Sequence, residues 1–296
     1  MKPIVRSVFH PPSHTFSYVV WDPVSRRAAI IDPALDFDPQ SGRSGTETAQ
    51  QLVEIVRAEG LTVDWLLETH AHADHITAMP FLQGVFNAPT AIGERITEVQ
   101  TRFAWLFNLG DDFRVDGSQF DQRFADGQTF TIGELPVQVF HTPGHTSDHI
   151  TYVIGDAVFV GDTLFMPDAG TARCDFPAGS ARELYRSIHR LFDALPDSHR
   201  LFVLHDYGTD ERGPECLTTI GEQRAGNIHL GNGVSEDDYV AMREARDATL
   251  PMPVLILPAV QVNIRAGHFP PAEANGLRYL KIPVDEFGAH WSPPSA

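Results

Sequence analysis

Cysteine is nearly missing: only Cys174 and Cys216 occur in 296 residues. Two thiols make no disulfide framework, and their scarcity agrees with a reducing compartment. Long apolar runs are missing as well. No stretch reaches the roughly 18 consecutive apolar residues of a membrane helix, and the opening MKPIVRSVFHPPSH has no signal-like apolar core. The expected location is cytoplasmic, with no membrane partner. Basic residues are scarce, 22 Lys and Arg against 39 Asp and Glu for a net charge of −17, and they form no run. Such a field repels a phosphate backbone, so nucleic acid is not an expected partner. A small anionic substrate remains open, because a few arginines lining a cleft outweigh distant surface charge.

What the chain does hold is a concentration of histidine. Thr69, His70, Ala71, His72, Ala73, Asp74 and His75 place three imidazoles and a carboxylate in one short string. A solvated histidine-rich loop is the plain alternative, but nothing in core packing calls for three histidines around one acid, whereas zinc, iron and manganese take these donors. The string follows the apolar run Val63 to Leu67, a strand candidate. Three more stations repeat the arrangement: His145 in PGHTSDH after Val137 to Phe140, Asp162 in GDT after Ala157 to Val160, and His205 in HDY after Leu201 to Leu204. Four strand ends carrying metal-type residues imply one sheet edge that gathers them.

Around these stations, Thr15 to Trp21 and Arg27 to Ile31 read as a hairpin turning at Asp22 to Val24, followed by a polar loop. Helical spacing marks Thr46 to Glu59, closed by Gly60, then Ile76 to Val85, and Arg95 to Leu109 with its stripe Ile96, Val99, Phe103, Leu106 and Phe107. Short strands are expected over 128–132, 137–141, 150–154 and 157–160, with Gly155 and Asp156 as a tight hairpin turn. Ser180 to Leu195 is a helix capped by Ser180 and ended by Pro196. Leu217 to Ile228 and Ser235 to Ala248 also read as helices, and the proline-rich end reads as loop. No repeat or low-complexity tract occurs. A single domain is expected, a core over 1–205 with an extension over 206–296 that packs on it and contributes to the substrate pocket.

The ordered set HxHxDH, His, Asp, His resembles the signature of the metallo-beta-lactamase superfamily, over at least His10 to Tyr207. The resemblance implies an α/β fold of layered α+β type, the αββα sandwich, with metal at one edge between the two sheets. Within the superfamily, GTARCDF at 170–176, HDY at 205–207 and VNIRAG at 262–267 look like the persulfide dioxygenases, whose core is similar to glyoxalase II.

That likeness implies an oxidoreductase with one iron(II) per chain, held by His70, His145 and Asp162, with dioxygen as co-substrate. Glutathione persulfide is oxidised to sulfite and glutathione. His72, Asp74, His75 and His205 then stand behind the ligands, or take a second metal; two zincs or a mixed pair are the alternative content. Tyr207 is the candidate hydrogen-bond donor beside His205, and Arg173, Arg224 and Arg265 are candidates for the substrate carboxylates. Cys174 reads as a bystander thiol and Asp175 as an orienting group. His10 and His14 read as ordinary surface or packed residues, and His149 as indirect support. The aromatic stretch Glu94 to Asp126 is a departure placed to shape the pocket mouth. Two other functions stay open: a dinuclear glutathione thioester hydrolase of glyoxalase II type, although residues 206–296 hold no evident basic cluster, and a non-catalytic metal-holding sulfur sensor. A homodimer is a family-level expectation.

Overall fold

Three antiparallel strands begin the chain, β1 (Ile4–His10), β2 (Thr15–Trp21) and β3 (Arg27–Ile31), followed by the short pair β4 (Ala34–Asp38) and β5 (Arg43–Gly45). Next come α1 (Glu47–Ala58), β6 (Thr62–Leu67), β7 (Ile76–Thr77), α2 (Met79–Phe86), β8 (Thr90–Gly93), α3 (Ile96–Leu106) and β9 (Gln122–Phe124). The second half runs β10 (Thr129–Ile132), β11 (Leu135–His141), β12 (Ile150–Ile154), β13 (Ala157–Phe159), α4 (Ala181–Ala194) and β14 (Arg200–Phe202). It closes with β15 (Leu217–Thr219), α5 (Ile220–Gly226), α6 (Glu236–Asp247) and α7 (Ile256–Asn263). This computed structural model describes residues 2–285; residue 1 and the end of the expected extension, 286–296, lie outside the described residues.

One sheet has the order β1-β2-β3-β6-β8-β9, a second the order β10-β11-β12-β13-β14-β15, and a small third the order β5-β4-β7. Alternation along β2 and β3 decides which side chains enter which layer. Tyr18, Val20, Ala29 and Ile31 meet Val137, Tyr152 and Phe159 of the second sheet in the apolar layer between the sheets. Val19, Trp21, Ala28 and Ile30 face the other way, onto α1, α2, α3 and α7. The outer face of the second sheet packs Val153, Val158 and Leu201 against Leu184, Ile188 and Leu191 of α4 and Tyr239 of α6. The layers are helix, sheet, sheet, helix, as the metal signature implied.

Helix α4 is legible residue by residue. Ser180 accepts the N–H of Glu183 at its N-terminus, and Ala181, Leu184, Ile188 and Leu191 are its buried stripe.

Several expectations are corrected. Ile76 and Thr77 are strand, paired with Leu35 and Ala34, and the helix begins only at Met79. Leu217 to Thr219 forms the edge strand of the second sheet, and a capping box of Thr219 with Glu222 starts α5 after it. The polar segment after Ile31 contains β4 and β5. The proline-rich end contains α7. Within 94–126 the helical stripe does pack inward: Ile96, Val99, Phe103 and Phe107 join the apolar layer under the first sheet, with Phe113 and Phe120 beside them.

Candidate metal centre

The register of the second sheet brings the late stations together. β13 and β14 run parallel with Phe159 opposite Phe202, so Asp162 and His205, each three residues further on, leave at the same end. His145 lies in the loop between β11 and β12, and the His70 string follows β6. The two sheets touch here, through Phe16 N–H on the Leu204 carbonyl (2.7 Å) and Ile150 N–H on that of Thr69 (2.9 Å). Gly161 permits this close approach, and Gly144 lets the His145 loop lie against α4. A side chain on Gly161, at φ +49°, would meet Thr69 and His149 at 2.5–2.6 Å, and one on Gly144, at φ +141°, would meet the backbone of Leu184 at 2.3 Å.

His70, His145 and Asp162 are buried, and their donor atoms lie within 4.8 Å of one another. Asp162 Oδ2 stands 3.3 Å from His145 Nε2 and 3.9 Å from His70 Nε2, while its Oδ1 stands 3.3 Å from His205 Nε2. Asp74 Oδ2 is 3.3 Å from the same His205 nitrogen. Two trios therefore share one carboxylate, His70, His145 and Asp162 on one side and Asp74, His205 and Asp162 on the other. His72, Asp74 and His75 form a further group beside them, the two histidines buried and Asp74 half-buried.

In each imidazole the far nitrogen is tied to the protein. His145 donates from Nδ1 to the Arg173 carbonyl (2.8 Å). Thr69 gives its hydroxyl proton to Asp32 (3.0 Å), so its oxygen accepts from His70 Nδ1 (3.0 Å). His205 donates from Nδ1 to the His14 carbonyl (3.3 Å), and His75 Nδ1 faces Asp74 (3.4 Å). His72 is turned the other way, its Nε2 on Glu68 (2.6 Å) and Asp32 (3.2 Å). The nitrogens left over, His70 Nε2, His72 Nδ1, His75 Nε2 and His205 Nε2, are buried without a hydrogen-bond partner among the described residues, as is Asp162 Oδ1. Buried polar atoms are nearly always paired, so five converging orphans mark where a cation fits. The donor set, imidazole nitrogen and carboxylate oxygen, suits it.

Electrostatics agree. Burial, then His72, holds the His70 imidazole well below its ordinary value, and the same two causes push His75 down to about 4. Both are neutral near pH 7 and keep a lone pair for a metal. His72 rises well above its ordinary value against its burial, because Asp32 and Glu68 flank it. Burial pushes the Glu68 carboxyl up to about 7.

Support comes from residues the sequence marked only in part. His149 accepts the Asp162 N–H (2.9 Å) and stacks on His70, ring centres 4.8 Å apart. Asp148 accepts the Ala71 N–H (2.9 Å). His10, expected to be an ordinary residue, is buried and bonds Ser13 Oγ (2.6 Å), which bonds Thr15 Oγ1 (2.7 Å). Thr15 in turn lies 3.2 Å from His205 Nδ1 and 3.5 Å from Asp74 and His75. Asn263 of α7 went unmarked: its side chain donates to the carbonyls of His72 and His75, both at 2.8 Å, and accepts the Thr77 N–H (3.0 Å). The signal was an asparagine inside the apolar stripe of VQVNI.

The outer candidates separate. Tyr207 is 63% exposed, its ring 4.9 Å from that of His14. Partial desolvation of the hydroxyl and the Asp74 and Asp162 carboxylates raise its phenol, which stays protonated. The Arg173 guanidinium forks onto Asp175 (2.6 and 2.7 Å) and also bonds the Pro251 carbonyl (2.6 Å). Arg224 is not brought to the cluster: it bonds Asp197 (3.1 Å) and the Phe192 carbonyl and lies over the Phe192 ring. Arg265 differs from both. Its Nε is buried with no partner among the described residues, its guanidinium lies 4.4 Å over the Phe113 ring, and burial lowers its pKa.

A family model described as the metallo-beta-lactamase superfamily matches residues 10–197. A probable metallo-hydrolase of Burkholderia pseudomallei is 51% identical, covering 95% of this chain and 99% of that protein. A Dictyostelium discoideum protein named Glyoxylase B2 is 47% identical, covering 92% and 94%. The mitochondrial persulfide dioxygenase of Bos taurus is 30% identical over 89% of each chain. Among solved structures, ETHE1 from Myxococcus xanthus superposes with a TM-score of 0.71 at 30% identity, covering 90% of this chain and 100% of that one. No helix among the described residues is long and apolar enough to cross a membrane.

Proposed function

The chain belongs to the metallo-beta-lactamase superfamily, and from that premise we propose that it is a glutathione persulfide dioxygenase with one iron(II) held by His70, His145 and Asp162. The observation that carries this reading is the compact buried trio of two imidazoles and one carboxylate, the donor set of iron(II) oxygenases. His72 stands beside the trio, its Nε2 held between two carboxylates that raise its imidazole above the ordinary value against its burial, so it favours carrying a proton over binding an ion. Iron, when bound, supplies redox chemistry that zinc lacks and open positions for sulfur and dioxygen.

The protein's residues position and shield. Phe176 stands edge-on to His145 at 5.1 Å and Phe165 to His205 at 6.1 Å, apolar walls that keep competing water away. His205, whose imidazole Asp162 and Asp74 raise above its ordinary value against its burial, is the acceptor for the proton of an incoming persulfide, and neutral His75 offers its Nε2 as a hydrogen-bond acceptor. Tyr207, protonated and at the surface, is assigned the role of donating a hydrogen bond to the oxygens of the oxidised sulfur, where negative charge collects. Arg265, lacking an internal acceptor for Nε, is the arginine best suited to a glutathione carboxylate. Replacing it (Arg265→Ala) is expected to raise KM for glutathione persulfide about tenfold or more, the scale of a lost charge-assisted hydrogen bond, with a smaller fall in kcat. An unchanged KM removes Arg265 from substrate binding.

A second reading is a dinuclear thioester hydrolase. The orphaned Nε2 atoms of His75 and His205 and Asp162 Oδ1, with Asp74 beside them, favour it, as does the relative named Glyoxylase B2. Purified protein separates the two. On the first reading, elemental analysis finds one iron per chain, and glutathione persulfide under air consumes oxygen and yields sulfite. Two zincs per chain, lactoylglutathione hydrolysis and no sulfite reject it.

A further inference from the structure

The peptide group joining Arg173 to Cys174 has partners on both of its edges. Its carbonyl accepts the Nδ1–H of the candidate ligand His145 at 2.8 Å, and its N–H donates to Asp247 Oδ2 at 2.7 Å. Asp247 belongs to α6, far along the chain in the extension, and is only 4% exposed. Its other oxygen takes Arg243 Nε (2.9 Å) and a terminal nitrogen of the same guanidinium (2.6 Å). Arg243, 1% exposed, also donates to the Thr171 carbonyl (2.9 Å). A peptide is planar and rigid, so fixing its N–H fixes where its carbonyl points. Hydrogen bonds in series also polarise one another, so a carboxylate on the N–H makes the carbonyl a stronger acceptor.

We propose that Asp247 is a positioning residue for the metal centre, acting on His145 through the Arg173–Cys174 peptide. Ligating histidines commonly carry a carboxylate on the nitrogen turned away from the metal. Here the carboxylate stands one peptide further back, with the same consequence: Nδ1 keeps its proton, Nε2 keeps the lone pair, and the ring is held on the Asp162 side. The device depends on His145 meeting a metal, one or two, and not on which reaction follows.

The test separates positioning from folding by removing the charge pair in two ways. Arg243→Met with Asp247→Asn retains an acceptor for the Cys174 N–H, whereas Arg243→Met with Asp247→Leu retains none, and a buried pair exchanged for apolar groups often costs little stability. Cobalt(II) and zinc affinities of the metal-free proteins, measured by competition with a chelator, are the readout. The Leu variant is expected to bind about 10–100-fold more weakly, the scale for partners standing behind a ligand, and the Asn variant to recover most of that loss. Equal affinities in the wild type and the Leu variant overturn the proposal. Should the Leu variant not fold, long-range proton–nitrogen spectra of the metal-free wild type decide: His145 protonated on Nδ1 supports it, and protonation on Nε2 overturns it. Absence of sulfite formation would reject the proposed reaction and leave these binding outcomes intact.

Discussion

Replacing Asp162 with alanine is expected to abolish metal retention and turnover while leaving the metal-free protein folded. Its Oδ2 lies within 4 Å of both His70 and His145 Nε2, and its Oδ1 makes no hydrogen bond among the described residues, only a 3.3 Å approach to His205 Nε2. Partners behind the ligands already cost about 10–100-fold in affinity, so losing the charged ligand itself is expected to exceed about 100-fold. In the metal-free chain the opposite holds. An orphaned buried carboxylate oxygen is a cost, and its removal relieves one. The thermal midpoint without metal should therefore stay level or rise, while the increase produced by adding iron or zinc, which follows from binding to the folded state alone, should vanish. Full iron content and wild-type activity in Asp162→Ala would remove the residue from the ligand set.

How much of this was legible follows from where each signal resides. The strands that deliver the ligands are short apolar runs flanked by turn residues, and their ends carry the histidines, so local pattern and chemistry coincide. α4 and α6 announce themselves by Ser180 and Ser235 at their caps. Ile76 and Thr77 do not: β-branched residues next to an apolar run fit a helix start equally well, and pairing with Leu35 and Ala34 decides for strand. Leu217 to Thr219 continues the helical period of the residues after it, although Thr219 and Glu222 spell a capping box that starts the helix later. α7 was hidden by its prolines. Pro258 falls in the first turn, where its missing N–H has no helical partner in any case. Charge is the conspicuous feature of the arginines in GTARCDF and VNIRAG, yet Arg173 contributes to the centre through its backbone carbonyl. Asn263 and Thr15 act across 186 and 190 positions of chain, a distance no local pattern spans.

Asn263 carries the second large expectation. It is 3% exposed, and its amide orientation is settled by its partners, since a backbone N–H must face Oδ1 and two carbonyls must face Nδ2. The three groups it satisfies belong to His72, His75 and Thr77, the loop that carries the histidine string. Truncation to alanine leaves them buried and unpaired at about 1–3 kcal/mol each, several kcal/mol of a total stability that is itself of order 5–15 kcal/mol. Asn263→Asp is the sharper probe, because it keeps the volume and the bond from Thr77 while setting a carboxylate oxygen against two carbonyls. Both variants are expected to lower the urea midpoint, and Asn263→Asp is expected to weaken metal binding as well, because a loosened loop no longer holds His70, His72 and His75 in place before the ion arrives. The clamp is rejected if Asn263→Asp matches the wild type in both urea midpoint and metal affinity. If instead stability falls and affinity holds, the loop keeps its shape by its remaining bonds, those from Thr69 to Asp32 and from Ala71 to Asp148, and α7 serves the fold alone.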